Sequence, residues 1–358
     1  MIHFCVASGS SEFAVDTYVS NRGRALAGLV RKHTYDELLA QSQLPRGTWI
    51  FAAVDRLGPA GLAIAARLAT AVESAGCPVL NHPGRVLRRY DLLSRLHQEG
   101  RSRFRLERAA NYSGTLRFPV FIRRENQHEV SISGLIWSHS AVRRAILRAR
   151  LTGLPLDDLL VVELCDLSHN GWHRKYSAWR VGDRIMCRHL QSSRHWVVKS
   201  DSGEKDEAAA HLESQFITDN PHRDLLKEYF DFASIQYGRI DYALDGDRVQ
   251  VWEINTNPTI GPGPRVADSA EKESFREMIR PAVTLHHERF REAWFALDTP
   301  GEGCPVDVEI EPALRRAWRR ETERDERRER LIDGFRQLRW SKPVLTLRRG
   351  LLRLLRRA

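Results

Sequence analysis

The stretch from Tyr237 to Gly261 constrains the fold more than any other part of the chain. It holds two runs rich in Ile, Tyr, Val and Trp, separated by the tripeptide Asp245-Gly246-Asp247. An Asp-Gly pair between such runs is the strongest short-range signal for two antiparallel strands joined by a tight turn. The sequence therefore predicts a β-hairpin here.

Polar side chains of this predicted hairpin converge on one face. Side chains alternate across a strand, so Glu253 and Asn255 share a face, and antiparallel pairing can bring Asp241 beside them. Two carboxylates and an amide oxygen suit Mg²⁺ when waters and phosphate oxygens complete its coordination. Arg239 falls on the same face, where it can meet the charge of a phosphoryl group. The solvated polar face of an ordinary amphipathic hairpin would show the same alternation.

The order of these residues resembles a known motif. The segments RIDYAL and VWEINTNP are similar to the metal-binding hairpin of the ATP-grasp superfamily, which includes D-alanine ligase, glutathione synthetase and carbamoyl-phosphate synthetase. The resemblance implies that Asp241, Glu253 and Asn255 are metal ligands, with Glu253 bridging two ions, and that Arg239 is a catalytic residue. It also implies ATP and Mg²⁺ as cofactors, with Mn²⁺ as an alternative ion.

Length and composition fit a folded, multi-part protein. The chain has 358 residues, of which 42% are hydrophobic and 28% charged, values typical of globular proteins with room for two or three subdomains. No apolar run reaches membrane-spanning length, and the first residues do not resemble a secretory signal. The five cysteines lack Cys-x-x-Cys pairing, which favours reduced thiols and a cytoplasmic location over a disulfide framework or a zinc site.

The N-terminal part alternates short apolar runs with helical spacing. The runs are 2–7, 48–54 and 78–80, and a helix with a buried apolar face is predicted over 58–75. Strands that alternate with helices predict a small parallel sheet. The following Asn81-x-Pro83 resembles the end of the N-terminal domain of ATP-grasp ligases, although by itself it indicates only the start of a helix.

The middle of the chain supplies candidate nucleotide contacts. A strand is predicted in FPVFIRREN, a helix over 140–150 and a second strand over 159–165. The resemblance implies that Arg123 and Lys175 bind the phosphates of ATP, with Arg123 where relatives usually carry Lys and Lys175 also catalytic. It further implies that Glu163 and Asp166 lie at a hinge near adenine and ribose. An arginine at the end of a strand and acids that cap turns are the alternatives.

The segment 166–199 is dense in polar and aromatic residues, and RKYSAWRVGDRI predicts a second hairpin with a Gly182-Asp183 turn. Candidates for substrate contact in this segment are Arg188, His189, Arg194, His195 and Trp196, and plain surface residues would show the same spacing. Helices are predicted over 207–216, over 221–232 with Asn220 as the cap, and over 269–297.

Most of the net charge of +10 lies at the C-terminus. From Glu311 onward the chain has 16 Arg and Lys against 7 Asp and Glu, and before it 40 against 39. A charged helix with an apolar edge at Leu314 and Trp318 is predicted first, then a basic amphipathic helix within 341–358. That second helix suits an anionic membrane surface or an acidic partner, or it docks on the protein's own body or on a second subunit. No nucleic-acid motif accompanies the charge.

These observations predict a mixed α/β protein with the ATP-grasp fold. The predicted parts are an N-terminal α/β domain (1–99), two α+β subdomains that grip ATP (100–165 and 166–300) and a basic helical tail (301–358). The resemblance implies an ATP- and Mg²⁺-dependent ligase that joins a carboxylate to an amine through an acylphosphate, and a homodimer, as is common among relatives. Phosphoryl transfer to a hydroxyl, or a non-catalytic nucleotide-binding scaffold, are the alternatives.

Overall fold

The computed structural model describes residues 1–9, 12–127, 131–198, 203–260 and 270–340. Its strands are β1 Ile2–Val6, β2 Val30–Thr34, β3 Gln43–Leu44, β4 Thr48–Phe51, β5 Val79–Leu80, β6 Leu106–Arg108, β7 Val120–Arg124, β8 Leu159–Glu163, β9 His173–Val181, β10 Arg184–Ser193, β11 Tyr237–Asp245, β12 Arg248–Asn255 and β13 Val306–Asp307. Its helices are α1 Phe13–Ser20, α2 Tyr35–Leu39, α3 Pro59–Ser74, α4 Arg89–Gln98, α5 His139–Leu151, α6 Glu207–Asp219, α7 Arg223–Phe232, α8 Ala270–Phe295 and α9 Pro312–Trp340.

The N-terminal part is a parallel sheet with the strand order β2-β1-β4-β5. The predicted strands at 2–7, 48–54 and 78–80 are confirmed as β1, β4 and β5, and the predicted helix is α3. β2 was not predicted, because its sequence VRKHT is mostly polar. A polar sequence suits β2, since it lies at the edge of the sheet, where one side of the strand has no partner.

The C-terminal region completes the N-terminal core. β13 pairs with β3, and Val306, Val308 and Ile310 lie in the same apolar cluster as residues of α2 and α3. The predicted apolar edge of α9 is confirmed, since Leu314 and Trp318 pack against that cluster. The predicted tail therefore begins as part of the N-terminal domain. Residues 341–358 lie outside the described residues, and the predictions for their leucine face remain predictions.

A small antiparallel sheet with the order β6-β8-β7 follows. Leu159 and Val161 of β8 pack with Val142 of α5, on one face of this sheet. Leu160 and Val162 point to the other face and pack with residues of α4 and the large sheet. This alternation gives the small sheet one covered face and one face that borders a cavity.

The large sheet is antiparallel with the order β10-β9-β11-β12. Both predicted hairpins are confirmed, and Gly182 and Gly246 in their turns have φ of +59°, a conformation that glycine adopts at little cost. α7 and part of α6 pack on one face, while Trp179 and Tyr237 on the other face pack with α8. The mixed α/β class is thereby confirmed.

Two predicted helix starts are wrong. Asn220 does not begin α7 but ends α6, where it adopts a left-handed conformation with φ of +50°, and its side chain bonds the backbone of Ile185 and Cys187. Asn81 does not begin α4, which starts eight residues later. Its amide is fully buried and exchanges hydrogen bonds of 2.7–2.9 Å with the backbone of Gln236 and Tyr237, so it ties the parallel sheet to the start of β11.

No helix in the described part of the chain combines the length and the apolar character needed to cross a membrane.

Candidate active site

A cavity of about 300 Å³ lies between the small sheet and the large sheet. Apolar side chains line most of it, and charged groups from four segments meet at one end. The apolar lining is formed by Leu93, Phe104, Leu106, Phe121, Leu160, Val162, Trp196, Ala243 and Trp252. An apolar slot with a few convergent charges is the usual form of a site for a small organic ligand.

The register of β11 and β12 confirms the predicted common face. Asp241 pairs with Glu253, and Arg239 pairs with Asn255. Directly paired residues of antiparallel strands have their side chains on the same face. A bulge follows Asp241, because Trp252 is an extra residue between Glu253 and the next paired residue. The Asn255 side chain accepts a hydrogen bond of 2.8 Å from the backbone N–H of Asn257 through Oδ1.

Each acid of the hairpin is paired with two cations. Asp241 accepts a hydrogen bond of 3.0 Å from Nε of Arg239 and lies 3.5 Å from Nζ of Lys175. Glu253 accepts a hydrogen bond of 2.9 Å from Arg123 and a short one from Arg89. The structure therefore brings the predicted groups Arg123, Lys175, Arg239, Asp241 and Glu253 together at one end of the cavity.

Arg89 is the contact that sequence reasoning missed. It lies at the first position of α4, its side chain is 4% exposed, and the same nitrogen atom donates to the carbonyl groups of Arg124, Glu125 and Gln127. Arg89 thereby links α4, the end of β7 and the Glu253 carboxylate. Nothing in the sequence distinguishes it from the neighbouring Arg88, because the contact joins segments 164 positions apart.

Among the described residues, the charged end of the cavity holds more cations than acids. Arg89, Arg123, Lys175 and Arg239 contact the carboxylates of Asp241 and Glu253, and this arrangement suits an anionic ligand. Burial, together with repulsion from Arg89, lowers the pKa of Arg123 to about 10. The buried Nε of Arg123 makes no hydrogen bond within the described residues. It is a donor available to a ligand oxygen.

The donor set fits a hard divalent cation that is shared with a phosphate ligand. Within the described ranges no group of three or more His, Cys, Asp or Glu side chains is arranged to hold a metal on its own. Asp241, Glu253 and Asn255 supply two carboxylates and an amide oxygen, and a metal with so few protein ligands takes the rest from water or phosphate oxygens. In the structure Arg239, Lys175, Arg123 and Arg89 neutralise both carboxylates.

Glu163 and Asp166 are the residues predicted to lie near adenine and ribose, and in the structure protein groups bind both carboxylates. Glu163 borders the cavity, but its carboxylate is 1% exposed and accepts hydrogen bonds from the side chains and backbone N–H groups of Arg105 and Arg117. These bonds lower its pKa in spite of burial, and they leave it as a structural anchor of the strand end. The Asp166 side chain is 58% exposed, lies outside the cavity and accepts a hydrogen bond from the backbone N–H of Ser168, which lowers its pKa.

Of the predicted substrate residues, Trp196 lines the cavity and the other four lie outside its lining. Arg188 and His189 of β10 lie 3.8 and 3.1 Å from the carboxylate of Glu213, a buried residue of α6. His195 accepts a hydrogen bond of 3.1 Å from the backbone N–H of Val197, next to the cavity residue Trp196. The structure thus separates His195 from Arg188 and His189, which it places beside an acid that was not predicted.

Two aromatic pairs belong to the apolar part of the cavity, and of their four residues only Trp196 was among the predicted substrate contacts. The rings of Phe121 and Trp196 lie 5.1 Å apart, and those of Phe104 and Trp252 stack 5.8 Å apart. Alternation in the predicted strand FPVFIRREN would have placed Phe121 on the same face as Arg123, and this was the one signal available for Phe121. Trp196 comes from a turn after β10, whose position periodicity does not predict.

Comparisons with known proteins give structural similarities only. No family model and no curated protein matches the chain. Among solved structures, a D-alanine–D-alanine ligase from Bacillus anthracis is 14% identical, with a TM-score of 0.46, over 81% of this chain and 98% of that one. A RimK domain ATP-grasp protein from Sphaerobacter thermophilus is 14% identical, with a TM-score of 0.38, over 79% and 100%. An L-amino acid ligase from Bacillus licheniformis is 11% identical, with a TM-score of 0.39, over 72% and 66%.

The search therefore returns proteins of the family that the hairpin motif resembles.

Proposed function

We propose that the chain is an ATP-grasp enzyme that binds ATP and Mg²⁺ between the small and large sheets. The observation that carries this proposal is the double ion-pair network at the end of an apolar cavity. Asp241 pairs with Arg239 and Lys175, and Glu253 pairs with Arg123 and Arg89. Acids and cations in alternation are what a metal-bound polyphosphate requires, because the acids hold the metal and the cations hold the phosphate oxygens.

Within this class we propose a ligase that joins a carboxylate to an amine. The apolar lining between the sheets accepts the base of the nucleotide, and the phosphates extend toward Arg123 and Lys175. Mg²⁺, when bound by Asp241, Glu253 and Asn255, offsets the negative charge of the phosphates during transfer. The side chain of Arg239 pairs with Asp241 and is 23% exposed. In this proposal it contacts the terminal phosphoryl group where that group meets the substrate carboxylate.

The proposed ligase reaction needs no nucleophile from the protein, and the main task of the site is to position the substrate carboxylate, ATP and the amine. A carboxylate oxygen attacks the terminal phosphorus of ATP, the bond to ADP breaks, and an acylphosphate forms. The amine then attacks the acyl carbon and phosphate leaves. Arg239 and Lys175 stabilise the charge that moves between these oxygen atoms, a contribution that side chains fixed on paired strands provide without rearrangement.

Hydroxylamine trapping tests this proposal. The protein would be incubated with ATP, Mg²⁺ and hydroxylamine together with each α-amino acid of both hands and simple dicarboxylates. We expect at least one acid to give ADP and a hydroxamate, since hydroxylamine captures an acylphosphate. ADP release without hydroxamate, together with a phosphorylated hydroxyl compound, would instead indicate a kinase. Nucleotide binding without any turnover would favour a scaffold.

A further inference from the structure

A half-buried histidine, His189, lies on the same face of the large sheet as the proposed metal ligands, and a buried acid of α6, Glu213, contacts it. His189 pairs with Ser177, Ser177 pairs with Asp241, and Asp241 pairs with Glu253, so the four residues form one row across β10, β9, β11 and β12. Residues in such a row point to the same face. His189 is two strand spacings from Asp241, which is about 10 Å.

The row continues the site beyond the cavity. Lys175 and Arg239 both line the cavity; Lys175 lies two residues before Ser177 on β9, and Arg239 lies two residues before Asp241 on β11. Because these strands are antiparallel, the two cations lie on opposite sides of the row. The space over the Ser177 side chain, on the face of the sheet that carries the row, is therefore next to Asp241, where we propose that the phosphoryl group is transferred. A second substrate that reacts with the acylphosphate has to approach from outside the nucleotide cavity, and this row is one such direction.

A bulge in β10 directs two side chains at the same acid. The register shifts between Cys187 and His189, so Arg188 and His189 together oppose one residue of β9. Bulges of this kind re-aim side chains and are common next to active sites. As a result Glu213 Oε1 lies 3.1 Å from Nδ1 of His189 and 3.8 Å from Nη1 of Arg188, while the Glu213 side chain is only 3% exposed.

Nδ1 of His189 lies 3.1 Å from the Glu213 carboxylate and 3.4 Å from Nη1 of Arg188, and the shorter contact favours the Nδ1–H tautomer. When Glu213 is ionised, its oxygen accepts a hydrogen bond from Nδ1–H, and Nε2 keeps its lone pair. Nε2 makes no hydrogen bond within the described residues, and the His189 side chain is 31% exposed. A histidine that is held by a buried carboxylate on one side and has a free nitrogen on the other is the usual form of a general base.

We infer that His189, oriented by Glu213, is the general base that removes a proton from the attacking amine. This inference rests on the proposed ligase function. An alkylammonium group at neutral pH has no lone pair, so one N–H proton passes to Nε2 of His189. The freed lone pair forms the C–N bond with the acyl carbon, the bond from that carbon to the phosphate oxygen breaks, and phosphate leaves with the electron pair. The departing phosphate takes the second N–H proton, so a neutral amide remains.

Burial and the charges around His189 keep the ring neutral, which a proton acceptor requires, and they also make it a weaker base than an exposed histidine. Burial, and then the positive charges of Arg188, Arg239 and Lys175 with the nearby His286, lowers the pKa of His189, so the ring is neutral in the resting protein. Burial raises the pKa of Glu213 to about 7, against the opposing effect of Arg188. Glu213 is therefore expected to lose its proton as the pH rises through about 7, and it can then orient His189. Amide formation should rise over the same pH range.

The test compares two reactions of the same variants, with the acid and the amine identified by the trapping assay. His189→Gln removes the base, Glu213→Gln removes its orienting charge, and His211→Gln on the exposed face of α6 is the control. We expect His189→Gln to lower amide formation by about 10²–10⁴-fold and to leave hydroxamate formation within about threefold, since hydroxylamine is largely unprotonated at neutral pH. Glu213→Gln should lower amide formation less and shift its pH profile.

Equal losses in both reactions, or no loss in either, would overturn the inference. If the wild-type protein forms no hydroxamate with any acid, the proposed function itself fails and the base with it, which is a distinct result. Nitrogen NMR of the histidine side chains at pH 8 gives an independent check on the folded wild-type protein. We expect the Nδ1–H tautomer at His189, and an imidazolium or the Nε2–H tautomer would also overturn the inference.

Discussion

Single charged residues pair each carboxylate of the site with cations. Glu253 and Arg89 are both buried, and a buried ion pair is costly to break because the remaining partner has no compensation. Arg89 also donates to three carbonyl groups at the end of β7. Its guanidinium therefore positions Glu253 and joins α4 to the small sheet at the same time.

Replacing Arg89 tests this double role. We expect Arg89→Gln to lower the free energy of unfolding by about 3–5 kcal/mol, the usual cost of removing one partner of a buried pair. Arg88→Gln is the matched control, since Arg88 makes one hydrogen bond of 3.3 Å to the Leu57 carbonyl and should cost less than about 1 kcal/mol. Urea unfolding of both variants measures the difference. Equal stabilities would contradict the role assigned to Arg89.

Site residues could be predicted where their position follows from a pattern within one short segment, and not where it follows from contacts between distant segments. Asp241, Glu253 and Asn255 share a face because of alternation within a hairpin whose turn is written in the sequence. Arg89 and Glu213 acquire their roles through contacts between distant segments and through a bulge in β10, neither of which leaves a periodic signal. Glu163 was assigned to the nucleotide, but the two arginines that bind it come from a separate loop.

Among the elements, α9 shows how a charged helix can belong to a core. Trp318 packs where Gly61 leaves space on α3, and the Glu321 carboxylate accepts hydrogen bonds of 3.1 and 3.2 Å from the backbone N–H groups of Ala60 and Gly61. A carboxylate at the first turn of a helix satisfies free N–H groups and interacts favourably with the helix dipole. The apolar edge of α9 was predictable from spacing, but its docking site on α3 was not.

A methyl group at Gly61 tests this docking. The added Cβ of Gly61→Ala would overlap the ring of Trp318, so we expect a loss of about 1–3 kcal/mol in the free energy of unfolding, the usual cost of overpacking. Gly28→Ala is the control, because a Cβ there meets nothing within 4 Å. Denaturant unfolding of the two variants compares them. If Gly61→Ala were as stable as Gly28→Ala, the packing of α9 on α3 would be contradicted.

At the scale of the whole molecule, the cavity lies between two sheets that share one apolar cluster, and each sheet also belongs to a second cluster. Residues of the parallel sheet, α8 and the large sheet share one apolar cluster, which includes Phe4, Tyr237 and Trp294. The outer face of the small sheet packs separately with α5. The order of these parts along the chain could be predicted from strand and helix patterns, since most connections are short. How the two antiparallel sheets face each other depends on long-range contacts such as those of Arg89, and the contacts of Asn81 in the same way tie the parallel sheet to the large sheet.

The central claim is that the acidic hairpin holds a metal–nucleotide complex, and calorimetric titration of ATP with Mg²⁺ tests it most directly. The titration would use the wild-type protein, Asp241→Asn and, as the control, Asp247→Asn in the exposed turn of the same hairpin, with thermal melts to verify folding. We predict binding to the wild-type protein and to Asp247→Asn that weakens when Mg²⁺ is chelated. Asp241→Asn should lose about tenfold or more in affinity, or about 1.4 kcal/mol. No binding to the wild-type protein, or equal Mg²⁺-dependent affinity in folded Asp241→Asn, would contradict the claim.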